Sequence, residues 1–163
     1  MFISERLLFE QIGPQHKASY TALLMDASVM KYITGTPMQL TDATRRFDEI
    51  LSINASRPEA GFFGVHDLVS RKFFGMGKLE LKPANRAELG YALLQPYWGQ
   101  GLATEITDTL IQHAQTIPDL ISLFAIASPE NRGSLHVLTK TGFTFSRAFE
   151  YHGQDAVEYV LGL

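Results

Sequence analysis

The segment Gln95-Pro-Tyr-Trp-Gly-Gln-Gly-Leu-Ala-Thr-Glu105 constrains this chain more than any other. A strand-like run ends there, two glycines turn the backbone, and a helical pattern opens. A strand feeding a helix through a glycine turn exposes backbone N–H groups with no side chain in front of them. The helix N-terminus adds about half a positive charge. Together they form a seat for a phosphate or pyrophosphate, so the segment implies a phosphorylated small-molecule ligand. An ordinary tight turn capping a helix is the competing reading of the same residues.

The turn is not a dinucleotide fingerprint. Gly99-Gln-Gly101 is followed by Leu102, Ala103 and Thr104, so the third glycine is missing, and the motif arrives after several other strands. No Gly-Lys-Ser/Thr follows, which removes the nucleoside-triphosphate cradle as well.

A second segment, Asn131-Arg-Gly-Ser134-Leu-His-Val-Leu138-Thr-Lys140-Thr-Gly142-Phe143, reads as a short helix ended by glycine and followed by a strand. Asn131 and Ser134 stand three apart and share one helix face. On their own, Asn131 or Ser128 reads as the helix N-cap and Ser134 as a solvated serine. Lys140 reads as a cation offsetting the helix C-terminal dipole.

The two segments together resemble the GNAT superfamily of N-acetyltransferases, and within it the branch of the ribosomal-protein N-terminal acetyltransferases RimJ and RimL. The carrying patterns are Tyr-Trp-Gly-x-Gly-x-Ala-Thr-Glu over 97–105 and Asn-x-x-Ser-x-x-Val-Leu-x-Lys-x-Gly-Phe over 131–143. Ser4-Glu5-Arg6-Leu7 and Ala87-Glu88-Leu89-Gly90-Tyr91 fit as well, so the resemblance spans nearly the whole chain. It implies a single GNAT domain over 1–163 with the α/β acyl-CoA N-acyltransferase fold. That fold has a central, mostly antiparallel twisted sheet of six to seven strands flanked by about four helices. It also implies acetyl-CoA as co-substrate, no metal, and direct attack by a primary amine in a ternary complex. The acceptor is then a protein N-terminus or a small amine. A CoA-binding sensor or interaction module of the same fold, without transferase activity, is the alternative.

By the same resemblance the cofactor is held by Leu93, Trp98, Gly99, Gln100, Gly101, Leu102, Ala103, Thr104, Asn131 and Ser134. Trp98 stands where many members have Arg or Gln, and is read as a packing residue. Ser134 sits beside the CoA sulfur as leaving-group donor. Many members carry a tyrosine four residues before the terminal Gly-Phe as the acid for the thiolate; Leu138 occupies that place here. The resemblance also implies that the fourth strand is bulged and splays from the fifth to bind the pantetheine arm. Gly90, inside a strand pattern, marks a bulge or a close backbone approach.

The general base is the open role. Holding a lysine side chain (pKa about 10.4) neutral at pH 7 costs about 4.6 kcal/mol, whereas an α-amine (pKa about 7.7–8.0) is already about a tenth neutral. A carboxylate or a water chain therefore suffices for a terminal amine. Glu150 ranks first by resemblance, Glu88 second because it precedes Gly90 by two and shares its face, and Glu80 third; each also reads as a solvated strand-edge glutamate.

The rest of the chain reads as follows. Strands are expected over 6–12, 61–67, 73–81, 86–94, 120–127, 143–149 and 156–161, the last two joined at His152-Gly153. A helix opens at Pro14, a helical turn covers 29–33, and a second helix is capped by Thr41; by resemblance these wall the acceptor site. With 163 residues, 45% hydrophobic and 19% charged, the chain is long and apolar enough for one buried core. No apolar run approaches the roughly 20 residues of a membrane span, and Glu5-Arg6 precede any long apolar stretch, unlike a secretory signal. Cytoplasm is the expected location and monomer or homodimer the expected state. The absence of cysteine excludes disulfides, thiolate metal sites and a cysteine nucleophile. A net charge of −3 argues against nucleic-acid binding. His16, His66, His113, His136 and His152 show no metal-ligand spacing.

Overall fold

In the computed structural model, which describes residues 1–163, near-continuous apolar sequence in the central strands buries both faces of the middle of one sheet. The elements are β1 (Phe2–Ile3), β2 (Leu7–Gln11), α1 (Lys17–Leu24), α2 (Ala27–Met30), α3 (Leu40–Ser56), β3 (Gly61–Asp67), β4 (Phe73–Lys82) and β5 (Arg86–Leu93). They continue with α4 (Leu102–Ala114), β6 (Ser122–Ala127), α5 (Arg132–Lys140), β7 (Thr144–Tyr151) and β8 (Gln154–Gly162). The eight strands form one sheet in the order β1-β2-β3-β4-β5-β6-β8-β7. All neighbours are antiparallel except β5 and β6, which run parallel because α4 crosses over between them.

Each strand divides its residues between two cores. One face carries Phe63, Val65, Leu79, Leu89 and Leu93 against Leu102, Ile106 and Leu110 of α4 and Leu138 of α5. The other carries Phe62, Met76 and Ala92 against Tyr20 and Leu23 of α1, Met30 of α2, and Phe47 and Ile50 of α3. Asn54, buried near the end of α3, ties that helix to the sheet. Its Nδ2 donates to the carbonyls of Ile12 and Phe62, each at 2.9 Å, and its Oδ1 accepts from Phe62 N–H at 2.9 Å.

The sheet has one strand more than the six to seven expected because the two-residue β1 folds back on β2, pairing Phe2 with Phe9. The extra helix is α2, a single turn capped by Asp26 Oδ1, which accepts from Ser28 N–H and Val29 N–H. The second long helix starts earlier than the sequence suggests. Its N-cap is Gln39, extended at φ −75° and ψ 155°, and Thr41 lies inside the first turn, so Thr41 is not the cap.

Gly90 marks a close approach and not a bulge. The β4–β5 register runs unbroken from Gly75↔Leu93 to Lys82↔Arg86. A Cβ on Gly90 would stand 3.3 Å from Cε of Lys78, whose stem crosses over it. The discontinuity lies on the other edge of β5, which pairs with β6 only through Arg86↔Ser122, Ala87↔Leu123 and Glu88↔Phe124. From Leu89 onward the two strands part. No helix is long and apolar enough to cross a membrane.

Candidate active site

The parting of β5 from β6 opens the sheet where two cavities meet. One, about 530 Å³, lies on the α1–α3 side and is lined by side chains including Tyr20, Arg46, Phe62, Lys78, Glu88 and Tyr151. The other, about 510 Å³, runs from the glycine turn to α5. Tyr32, Ile33, Tyr91, Ala92 and Ser134 line both.

The glycine turn is built by left-handed backbone. Gly99 has φ +72° and Gly101, the N-cap of α4, has φ +77°, conformations that an L side chain adopts only under strain. A Cβ on Gly99 would meet nothing within 4 Å, and one on Gly101 only Arg6 Nη2 at 3.7 Å. Within the protein, glycine is thus required by backbone geometry rather than by crowding. No side chain caps α4, so the first-turn N–H groups face the second cavity, which Trp98, Gly99, Gly101, Leu102, Ala103 and Thr104 line. An uncapped, positively polarised helix end opening on a cavity of this size fits a pyrophosphate.

The turn is held in place from the N-terminus. Glu105 Oε1 accepts from Ser4 Oγ at 2.6 Å and from Arg6 N–H at 2.8 Å, and Glu105 Oε2 accepts from Arg6 Nε at 2.6 Å. Arg6 Nη1 then donates to the carbonyl of Gln100 at 3.1 Å. Desolvation works to raise the Glu105 carboxyl, but the bonds from Ser4 and Arg6 outweigh it and hold the group below its ordinary value. The sequence motif Ser4-Glu5-Arg6-Leu7 therefore has a mechanical role that residue reading alone does not disclose.

Most of the expected cofactor residues converge. Leu93, Trp98, Gly99, Gly101, Leu102, Ala103, Thr104, Asn131 and Ser134 all line the second cavity. Trp98 Nε1 donates to the Leu93 carbonyl at 2.7 Å, in keeping with a packing role. Gln100 is the exception: its side chain turns back to the Pro96 carbonyl at 2.8 Å and does not line the cavity. Asn131 caps α5, its Oδ1 accepting from Ser134 N–H at 3.1 Å, which leaves Nδ2 free to donate. His136 and Lys140 also line this cavity, and so place two basic side chains where the sequence pointed only to a helix dipole.

Tyr91 is the residue that sequence reading missed. Its hydroxyl and Ser134 Oγ share a hydrogen bond at 3.1 Å. Burial pushes the Tyr91 phenol up, while the bond to Ser134 pulls it down, and the net displacement is upward. A phenol held protonated beside Ser134 is a proton source. It enters from the sheet, opposite the α5 position where Leu138 lies buried in the core. The only signal in the sequence is the pattern Glu-Leu-Gly-Tyr, in which Tyr91 follows the glycine.

The candidate bases separate. Glu88 lines the cavity on the α1–α3 side, its Oε1 bonded to the Lys78 ammonium and its side chain 14% exposed. Glu80 bonds Lys82 Nζ at 2.7 Å and lies outside the lining. Glu150, the first expectation, is exposed on the edge strand β7 opposite Asp155, and does not line the cavity; its neighbour Tyr151 does. Asp155, paired across from Glu150 on β8, lines the cavity as well.

The fold also gathers Glu10, His16 and His66, which no sequence spacing foretold, with candidate ligand atoms within 4.8 Å of one another. His16 Nδ1 accepts from Gly13 N–H at 3.0 Å, so its proton sits on Nε2, which faces Glu10 Oε2 at 3.6 Å. His16 thus presents an N–H to the trio in place of a lone pair, which does not suit a ligand set, and His66 Nε2 is buried there without a hydrogen-bond partner.

Residues 6–144 match the family profile described as the acetyltransferase (GNAT) domain. Over 144 residues the chain is 30% identical to the uncharacterized N-acetyltransferase p20 of Bacillus licheniformis, covering 86% of this chain and 80% of that protein. An acetyltransferase (GNAT family) from Bacillus anthracis superposes with a TM-score of 0.84 at 20% identity, covering 99% of this chain and 98% of the other. RimL, a ribosomal L7/L12 alpha-N-protein acetyltransferase solved with coenzyme A, superposes with a TM-score of 0.82 at 16% identity, covering 98% and 96%. These two structures share the fold. With the profile covering most of its length and a relative this similar over this span, the chain belongs to the GNAT acetyltransferase family.

Proposed function

We propose that the chain transfers an acetyl group from acetyl-CoA to a primary amine by direct attack in a ternary complex. The observation that carries this reading is the junction of two cavities at Tyr91, Ala92 and Ser134. A cosubstrate entering from the glycine-turn side and an amine entering from the α1–α3 side reach each other only there. Acetyl-CoA supplies the activated thioester. The amides of Leu102, Ala103 and Thr104 hold its pyrophosphate, with Lys140 adding charge. The free edge of β5 beyond Glu88 and Asn131 Nδ2 receive the pantetheine arm.

Ser134 Oγ donates to the departing sulfur, and Tyr91 Oη resupplies the proton to Ser134. The proton given up by the amine restores Tyr91, so the exchange closes without a net proton. Glu88 keeps Oε2 available to the incoming amine while Lys78 occupies Oε1. An α-amine needs little more than this, since a useful fraction of it is neutral at pH 7.

Calorimetric titration with acetyl-CoA, NAD and ATP, followed by thiol release with a panel of amines, tests the reading. Acetyl-CoA alone should bind, and amines should release thiol. Binding of NAD in place of acetyl-CoA would overturn it. Acetyl-CoA binding with no thiol release from any amine would favour a CoA-binding module of the same fold.

A further inference from the structure

The acceptor-side cavity contains a polar end that the transfer chemistry does not use. Tyr20 is only 2% exposed and lines this cavity, and its hydroxyl makes no hydrogen bond to another protein group. Burial pushes this phenol up, so it stays a donor at any physiological pH. Arg46 of α3 lines the same end, its guanidinium 5.4 Å from the Phe62 ring and near enough to Tyr20 to act on it electrostatically. Arg46 has one partner, Glu49, a pair with side chains 36% and 51% exposed, which solvent screens and a ligand readily displaces. Two donors, one of them charged, face the cavity with no acceptor between them.

The remaining charge in the cavity is arranged differently. Lys78 is neutralised by Glu88, and Asp155 lies on β8, on the far side of the junction from Arg46. The lining therefore runs from positive over β3 to negative near β8. Between them lie Leu24, Met30, Met38 and Met76. Strand register supplies the scale. Phe62 pairs with Lys78 and Lys78 with Gly90, so the three stand in one row across the sheet, and Tyr91 follows Gly90. Two interstrand spacings make about 10 Å.

We infer that Tyr20 and Arg46 form a carboxylate subsite, and that the acceptor joins its reacting amine through an apolar stem to a carboxylate about 10 Å away. That span matches about three residues of extended chain. The carboxylate is either the C-terminus of a short peptide or an acidic side chain close behind a protein's N-terminal amine. A polycationic acceptor is disfavoured, since one end of the cavity repels it. The inference rests on the proposed transfer reaction for the placement of the amine, but binding alone tests it.

Peptides are titrated into the CoA-loaded protein. One arm compares an apolar tripeptide bearing a free C-terminal carboxylate with its amide; the other compares a ten-residue peptide bearing Glu at its third position with the same peptide bearing Gln. The carboxylate form should bind at least about tenfold tighter in one arm, as a charge-assisted contact implies, and that arm names the source. Arg46→Gln and Tyr20→Phe should each shrink the ratio, with CoA affinity serving as the check that the variants are folded. A ratio near one in both arms, a ratio that survives both substitutions, tighter binding of a linear triamine, or no peptide binding overturns the inference. If CoA itself does not bind, the transfer reading fails, and the same ratios on the unloaded protein still decide the subsite.

Discussion

Glu105→Gln isolates the contact that fixes the glycine turn. The carboxylate accepts three short bonds, from Ser4 Oγ at 2.6 Å, Arg6 N–H at 2.8 Å and Arg6 Nε at 2.6 Å. An amide keeps the first two as neutral bonds and turns an N–H toward Arg6 Nε, donor against donor. Charged bonds contribute about 1 kcal/mol more each than neutral ones. Arg6 is 46% exposed, so its share is discounted for screening, and the total comes to about 2 kcal/mol. For a chain of this size that is a fall in melting temperature of roughly 4–8 °C. The pH dependence is specific. A carboxyl held below its ordinary value of 4.5 contributes fully above that pH and loses the contribution as pH falls through its folded value. The amide does not titrate, so the gap between parent and variant should narrow steadily below about pH 4.5. Differential scanning calorimetry from pH 7 to pH 3.5 reads this directly. A gap that stays constant into acid, or no gap at neutral pH, refutes the reasoning. Because Arg6 also donates to the Gln100 carbonyl, the variant should bind acetyl-CoA more weakly as well.

Gly101→Val should abolish acetyl-CoA binding measured by calorimetry while the chain still folds, because φ +77° strains a β-branched residue and its methyls would cover the first-turn amides; binding at the parent's affinity would reduce the turn to a turn. Ser134→Ala should lower kcat on the order of a hundredfold with a smaller change in acetyl-CoA affinity, since in the proposed reaction its hydroxyl acts mainly as the sulfur departs. Tyr91→Phe should do the same to a lesser degree and alter the pH–rate profile, and a Tyr91→Phe enzyme that tracks the parent at every pH would remove the tyrosine from the proton path. Desolvation lowers His16 below 6.5, so the unfolded chain takes up its proton first and stability should decline as pH drops below about 6.5; melting curves of the parent and His16→Gln between pH 5 and 8 should converge toward the acid end.

The sequence was legible where local chemistry decides the outcome. The strand over 61–67 falls on its expected bounds because both faces are buried and glycine opens it. The glycine turn was readable from residue type, and the cap of α5 was narrowed to Asn131 or Ser128, of which the structure has Asn131. What escaped depends on pairing across the sheet. Nothing near Gly90 says that the break lies on its β6 edge and not its β4 edge, because Lys78, which crosses it, is twelve residues away. Tyr91 looks like any strand tyrosine until α5 sets Ser134 against it. Glu150 and Tyr151 are neighbours in sequence, and only Tyr151 lines the cavity, a difference that residue type does not carry.

The parting of β5 and β6 after Glu88 gives these separate features one cause. A sheet paired along its full length would leave no free amide edge for an extended arm and no opening between its two faces. Three paired residues hold the strands together at one end, and beyond Glu88 the two are unpaired. The same splay sets the uncapped helix end, the β5 edge and the Tyr91–Ser134 pair along one cavity. The N-terminal strand then matters to chemistry at a distance. By pinning Glu105 and the Gln100 carbonyl, Ser4 and Arg6 fix where α4 begins, and so where its first-turn amides point. Loosening that contact should be felt first in cofactor affinity and only later in the amine's reaction.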